Sequence, residues 1–150
     1  MNYYKATTKD FNYIAGLFNP DNTEFMLVKT LDIKILEEPG RNDYVLIDEK
    51  KNRIGWFFIK PIGEFVVIID KPYQGQGKGK EVMEIIEKEA KLLGFETLVL
   101  GVHANNERAV KLYKNRGFEV FQTYLKMKKN MKKVSEEDFY WDEKRKTIII

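Results

Sequence analysis

The sequence predicts an α/β domain in which a mixed, mostly antiparallel sheet is flanked by helices. Two observations carry this. Three short runs rich in Val, Ile, Phe, Tyr and Trp, at 44–47, 54–59 and 65–69, are separated by turn signals, the pattern of an antiparallel meander. Directly after them, residues 80–93 place Val82, Ile85, Ile86, Ala90 and Leu93 on one helical face, and strand-like and helix-like segments alternate from there to residue 127. A chain of 150 residues with 43% hydrophobic content suits a single domain spanning 1–150. At this length roughly 68–70% of the unfolded surface is buried around one core.

The elements follow in order. Tyr3 to Ala6 reads as an edge strand, and Thr7 or Thr8 caps a helix carrying Phe11, Ile14, Ala15 and Phe18, which Asn19-Pro20 stops. A second helix is expected from Thr23 to Leu36, with Phe25, Val28, Leu31 and Ile35 on one stripe, ending before Pro39-Gly40. Asp48 to Arg53 is a hairpin turn between the first two strands of the meander, and Pro61-Ile62-Gly63 separates the last two. The amphipathic helix has Glu81 and Glu84 near its positive end and Gly94 just past its last turn. Phe95 to Val102 reads as a strand, Asn106 to Arg116 as a short helix closed by Gly117, and Phe118 to Met127 as one or two final strands. Residues 130–150 are read as a docked extension, a homodimer contact or a frayed tail.

Composition removes several chemistries. With no Cys there is no disulfide, thiolate nucleophile or Cys-ligated zinc, and a single His allows no multi-histidine metal centre. No stretch approaches the 18 or so apolar residues of a membrane span, and the first residues lack the apolar core of a secretory signal, so a cytoplasmic protein is the expectation. The 26 basic and 23 acidic side chains leave only +3. The excess gathers in Lys126, Lys128, Lys129, Lys132 and Lys133, but Glu136, Glu137 and Asp138 offset it, and no nucleic acid partner is expected.

The chemistry concentrates in Asp70 to Lys80, DKPYQGQGKGK, between a hydrophobic strand and the best helix. Gly75, Gly77 and Gly79 let backbone N–H groups converge, and the helix adds its free N–H groups and positive dipole end, which together make an anion cradle. A tight turn with no ligand is the plainer reading of the same glycines. The Walker A motif fails because Pro72 and Gln74 stand where its first glycine belongs, and Gly79 and Glu81 where its Ser or Thr belongs. The dinucleotide fingerprint fails because Lys80 or Val82 replaces its last glycine. What remains is QxxGxG, formed by Gln74, Gly77 and Gly79.

That pattern resembles the coenzyme A pyrophosphate loop of the GNAT superfamily of N-acetyltransferases, (Gln/Arg)xxGx(Gly/Ala) after strand four. A second stretch, LVLGVHANNERAVKLYKNRGFEV at 98–120, is similar to the family's fifth strand followed by NxxAxxxYxxxGF, met here by Asn106, Ala109, Tyr113, Gly117 and Phe118. The resemblance implies a sheet splayed between strands 4 and 5 to admit acetyl-CoA, and a coenzyme site that includes Gln74, Gly75, Gln76, Gly77, Lys78, Gly79, Lys80, Asn106 and Tyr113. It also implies that a backbone N–H at a bulge in strand four, within Val67, Ile68 and Ile69, stabilises the oxyanion.

Each matching residue has a plain physical role as well. Asn106 is placed to cap a helix, a contribution of about 1 kcal/mol. Tyr113 is placed as a buried aromatic, while the resemblance makes it a general acid. A phenol with a pKa near 10 can protonate a departing thiolate whose pKa is near 8.5. An alkylammonium acceptor, with a pKa near 10.4, must lose a proton, and Glu64 or His103 is the candidate base. Glu64 lies one residue nearer Gln74 than the family spacing. Gly101 stands where the ribosomal-protein acetylating members carry a Glu.

The expected function is transfer of an acetyl group from acetyl-CoA, with no metal, to a primary amine of a small molecule or peptide. Attack is direct, in a ternary complex, because no Cys is present and no Ser sits beside a base in the motif region. A non-catalytic acyl-CoA sensor is the alternative.

Overall fold

The computed structural model describes residues 1–131. Strands β1 (Asn2–Lys5), β2 (Asn42–Ile47), β3 (Arg53–Ile59) and β4 (Phe65–Ile69) form one antiparallel sheet in the order β1-β2-β3-β4. The β2–β3 turn is closed by the Asp48 carboxylate, which accepts from the N–H groups of Lys50 and Asn52 at 2.9 and 2.8 Å.

Both faces of the sheet are covered, which explains why β2 to β4 read as nearly continuous apolar runs. Tyr44, Leu46, Phe57, Ile59 and Phe65 face Val82, Met83, Ile86 and Ala90 of α3 (Gly79–Leu92). Val45, Trp56 and Ile68 face Ile14 and Leu17 of α1 (Phe11–Leu17) and Leu36 of α2 (Ile33–Leu36). Each large side chain in these two cores contributes about 1.5–3 kcal/mol by leaving water. Glu89 fixes the register of α3 on the sheet, accepting from the hydroxyls of Tyr3 at 2.6 Å and Tyr44 at 2.8 Å. The bond to Glu89, and then burial, push the Tyr3 phenol up to about 12.

The first helix begins with a single 3-10 turn, Thr8–Asp10, where the Thr7 N–H donates to Asp10 Oδ2 at 3.0 Å. In α3 the apolar face includes Met83, almost fully buried, whereas Leu93 is 38% exposed beyond the last turn.

Three expectations are corrected. The helix expected over Thr23 to Leu36 survives only as α2, capped by Asp32 Oδ1 accepting from the Lys34 N–H. Ahead of it the Lys29 ammonium donates to the carbonyls of Thr23 and Glu24, and Asn22 bonds to Asp70 and Lys71. The Lys29 bonds close a local turn back onto Thr23 and Glu24, Asn22 just ahead of it is tied to the loop after β4, and a weak helical preference over Thr23 to Asp32 is not realised.

The strand expected over Phe95 to Val102 touches β4 at one parallel bridge, Glu64 to Val99. Val99 N–H donates to Gly63 O at 3.1 Å and Phe65 N–H to Val99 O at 3.0 Å, and no later residue of the segment continues the ladder among the described residues. The fold is therefore splayed at the edge of β4. Finally, Phe118 to Met127 forms no strand. Beyond Phe118 its side chains are exposed, Phe121 and Leu125 among them, and no backbone among the described residues pairs with it. The extension read over 130–150 lies, from residue 132 on, outside the described residues.

Candidate active site

The loop after β4 is held open by its own side chains. Gln74 Nε2 donates to Ile69 O at 2.7 Å and Gln76 Nε2 to Pro72 O at 3.1 Å, so both glutamines brace the loop to its own main chain. Gly75 and Gly77 have φ values of 76° and 71°, a region that favours glycine. A Cβ at Gly77 would meet nothing within 4 Å, so the space above it is open. Gly79 is a glycine for a different reason: a Cβ there would lie 2.9 Å from Leu112 Cδ2, on α4 (Glu107–Asn115). Its small size seats the start of α3 against α4. The first turn of α3 carries no side-chain cap, and Lys78 and Lys80 flank it, so its free N–H groups and positive end remain available to an anion.

The edge of β4 has a definite polarity. Lys60 N–H donates to Glu64 O at 2.7 Å, and Asp70 N–H to Ile54 O at 2.9 Å, at the two ends of an unshifted register with β3. Antiparallel ladders alternate bonded and non-bonded pairs. Val66 and Ile68 therefore bond to β3, whereas Val67 and Ile69 turn their N–H groups toward the gap left by residues 100–103. The bulge expected within Val67 to Ile69 is absent. Ordinary alternation already presents main-chain donors to the gap, and it removes Ile68 from that role because its N–H serves the ladder.

Tyr113 stands at the far end of this edge. Its ring packs edge-on against Phe65 at 6.2 Å and Phe118 at 5.8 Å, and burial raises its phenol above the ordinary value of 10.0. The acid form is thereby favoured across neutral pH. Asn106 caps α4, its Oδ1 accepting from the Ala109 N–H at 3.3 Å. Glu64, at the head of β4, pairs with Lys60 at 3.3 Å. His103 is exposed, packs its ring 5.7 Å from Phe25, and accepts at Nδ1 from the Asn105 N–H at 3.1 Å. That bond occupies the lone pair that a neutral imidazole would use as a base.

The structure thus separates two ends. The loop glycines lie beyond Ile69, and Phe65 and Glu64, with Tyr113 against the former, lie roughly 13–17 Å of strand from Ile69. Two residues join the site without having been expected. Arg108 lies 3.7 Å from a Cβ built on Gly75, and its spacing of four from Leu112 was the available signal. Phe25 reaches His103 from a segment whose sequence carried no such signal. Among the described residues no group of three His, Asp or Glu side chains could hold a metal, and no helix is long and apolar enough to cross a membrane.

Residues 9–118 match the acetyltransferase (GNAT) family. The chain belongs to that family and is, by class, an N-acetyltransferase. It is 28% identical over 131 residues, 78% of this chain and 84% of the other, to the protein of Bacillus subtilis (strain 168) named "Uncharacterized N-acetyltransferase YycN". A shorter stretch of 54 residues, 36% of each chain, is 39% identical to the ribosomal protein bS18-alanine N-acetyltransferase of Escherichia coli. The fold is similar to that of spermidine N-acetyltransferase from Vibrio cholerae, solved in complex with CoA and spermine, with a TM-score of 0.67, 23% identity, and coverage of 77% of this chain and 79% of that one.

Proposed function

We propose that this chain transfers the acetyl group of acetyl-CoA directly to a primary amine, held with the coenzyme in a ternary complex. The observation that carries the reading is the free edge of β4, which runs from an open glycine cradle to a half-buried phenol and offers the N–H groups of Val67 and Ile69 between them. The cradle and the uncapped start of α3 suit a pyrophosphate, and the edge suits the amide-bearing arm that leads to the thioester.

The chemistry then divides among named groups. The amine nitrogen attacks the thioester carbon, and the Val67 N–H, nearest the Tyr113 end, donates to the oxygen as it gains charge. The C–S bond breaks, the electron pair leaves on sulfur, Tyr113 gives its proton to the thiolate, and the second proton lost by the acylated nitrogen restores the phenol. Glu64, directly or through water, takes the proton that the acceptor's ammonium must lose. Asn106 orients the coenzyme arm from the start of α4. No step calls for a metal.

The proposed acceptor is a small-molecule or peptide amine; the relatives include a ribosomal-protein alanine N-acetyltransferase and a spermidine N-acetyltransferase. A panel of polyamines, aminoglycosides, amino acids and peptides, read by release of free thiol, tests the reading. Thiol release that depends on one amine class is expected. A wild-type protein whose melting curve is unchanged at millimolar acetyl-CoA, and which acetylates nothing in the panel, would sink it.

A further inference from the structure

Residues 19–32 contain no helix or strand, and Phe25 and Leu27 stand 38% and 69% exposed. A stretch with so little apolar burial is among the first parts of a fold to open. Its position therefore depends on a few polar ties, and one side chain carries those that reach the glycine loop. Asn22 Nδ2 donates to Asp70 Oδ1 and to Leu17 O, both at 3.0 Å, and Asn22 Oδ1 accepts from the Lys71 N–H at 2.9 Å. Among the described residues no other hydrogen bond crosses between 19–32 and 70–80. The position demands an amide: it gives protons to a carbonyl and a carboxylate and takes one from a main-chain N–H, which neither a carboxylate nor a hydroxyl can do.

The tie has a short reach on both sides. On the loop side, Asp70 O accepts from the Tyr73 N–H at 2.8 Å and Lys71 O from the Gln74 N–H at 3.1 Å, so these two residues set the entry to the glycine cradle. On the other side Thr23 follows directly and is buried, and its carbonyl gathers the Met26 N–H at 3.0 Å and the Lys29 ammonium. Phe25, whose ring meets His103, lies inside that turn. A loop held still at Asp70 and Lys71 holds Asn22, and Asn22 holds the turn that carries Phe25.

We propose that Asn22 is a positioning residue that couples coenzyme to acceptor: a coenzyme seated in the glycine cradle orders residues 23–31 through the Asp70–Asn22 bond and so prepares the face that receives the amine. This rests on the coenzyme reading above. Coupling between sites is reciprocal, so an amine lodged against 23–31 tightens the coenzyme by the same factor.

Hydrogen exchange read by mass spectrometry, with and without millimolar CoA, tests this on wild type, Asn22→Ala, Asn22→Asp and the double variant Asn22→Asp with Asp70→Asn. In wild type, CoA should slow exchange over 70–82 and also over 23–31, the latter about fivefold, the low end of ordinary coupling between sites. Asn22→Ala should keep the protection of 70–82 and lose that of 23–31. Asn22→Asp should lose it too, because two carboxylates then face each other across the 3.0 Å contact. The double variant restores one amide and one carboxylate with their places exchanged, and should recover most of the protection. The wild-type comparison stands even where a single variant fails to fold. An Asn22 that only stabilises the fold would lower Tm in both single variants and leave the CoA-dependent pattern unmoved. That pattern, a double variant no better than Asn22→Asp, or a wild type in which CoA protects 70–82 alone, would overturn the proposal and leave the coenzyme reading standing. A wild type in which CoA changes exchange nowhere would overturn both.

Discussion

Residues 64–80 and residues 19–32 border the same gap, the first fixed by main-chain geometry and the second by side chains that reach across the fold. In the first, register sets which N–H groups of β4 are free, and Gln74 and Gln76 bond back to their own loop. In the second, Asn22 bonds to Asp70 and Lys71, and Phe25 leans on His103. The wall we propose for the coenzyme is built from local rules. The wall we propose for the acceptor is built from contacts only the finished fold creates.

The comparison predicts that changes to the first wall disable the enzyme and changes to the second retune it. The largest effect should come from Gly77→Glu, which puts a side chain and a like charge into open space where the pyrophosphate belongs. Wild type at a hundredfold excess of acetyl-CoA over Kd should gain about 2.7 kcal/mol, and the variant should show no coenzyme-dependent rise in Tm. A wild-type-like rise in the variant would break the assignment of the cradle.

Next is Tyr113→Phe, expected to cut kcat about 10²-fold at pH 7 while acetyl-CoA affinity stays within a few-fold, because the proton is needed only as the C–S bond breaks. Burial raises the phenol's pKa, so its acid form, the active one, is retained below 10 and lost only above it. The basic limb of the wild-type kcat profile should accordingly fall above pH 10. An unaltered kcat in the Phe variant, where chemistry limits turnover, would reduce Tyr113 to packing against Phe65 and Phe118.

The two candidate bases sharpen the contrast further. Glu64→Gln should lose one to two orders of magnitude in kcat/KM near neutral pH and recover part of it as free amine accumulates, whereas His103→Gln should stay within about threefold. The reverse ranking would move proton transfer to the acceptor wall. The smallest effect belongs to Phe25→Ala, which should change the acceptor KM about threefold and leave the KM for acetyl-CoA unmoved. A loss confined to acetyl-CoA would erase the division between the walls.

What could be read from sequence follows the same line. The meander, α3, the Asn106 cap and the glycine loop were legible because each depends on residues within one or two turns of one another. Thr23 to Asp32 has helical apolar spacing, yet the Lys29 ammonium takes the carbonyls of Thr23 and Glu24, and Asn22 just ahead of the segment is held by Asp70 and Lys71. Phe95 to Val102 and Phe118 to Met127 have strand composition, yet a strand needs a partner, and composition does not say whether one is within reach. The separate reasons for Gly77 and Gly79, one facing open space and one facing Leu112, are likewise invisible in QxxGxG.

The unshifted register of β4 leaves this protein little latitude for change in length. A two-residue rhythm decides at once which side chains of β4 enter the α3 core and which N–H groups face the gap. Removing a single codon between Phe65 and Ile69 would exchange both sets together, sending the donors of Val67 and Ile69 into the sheet and turning inward the side chains that now meet α1. Lineages of this enzyme should therefore vary freely in the letters of that strand and in the length of the 19–32 segment, but keep the count of residues from Phe65 to Asp70 constant.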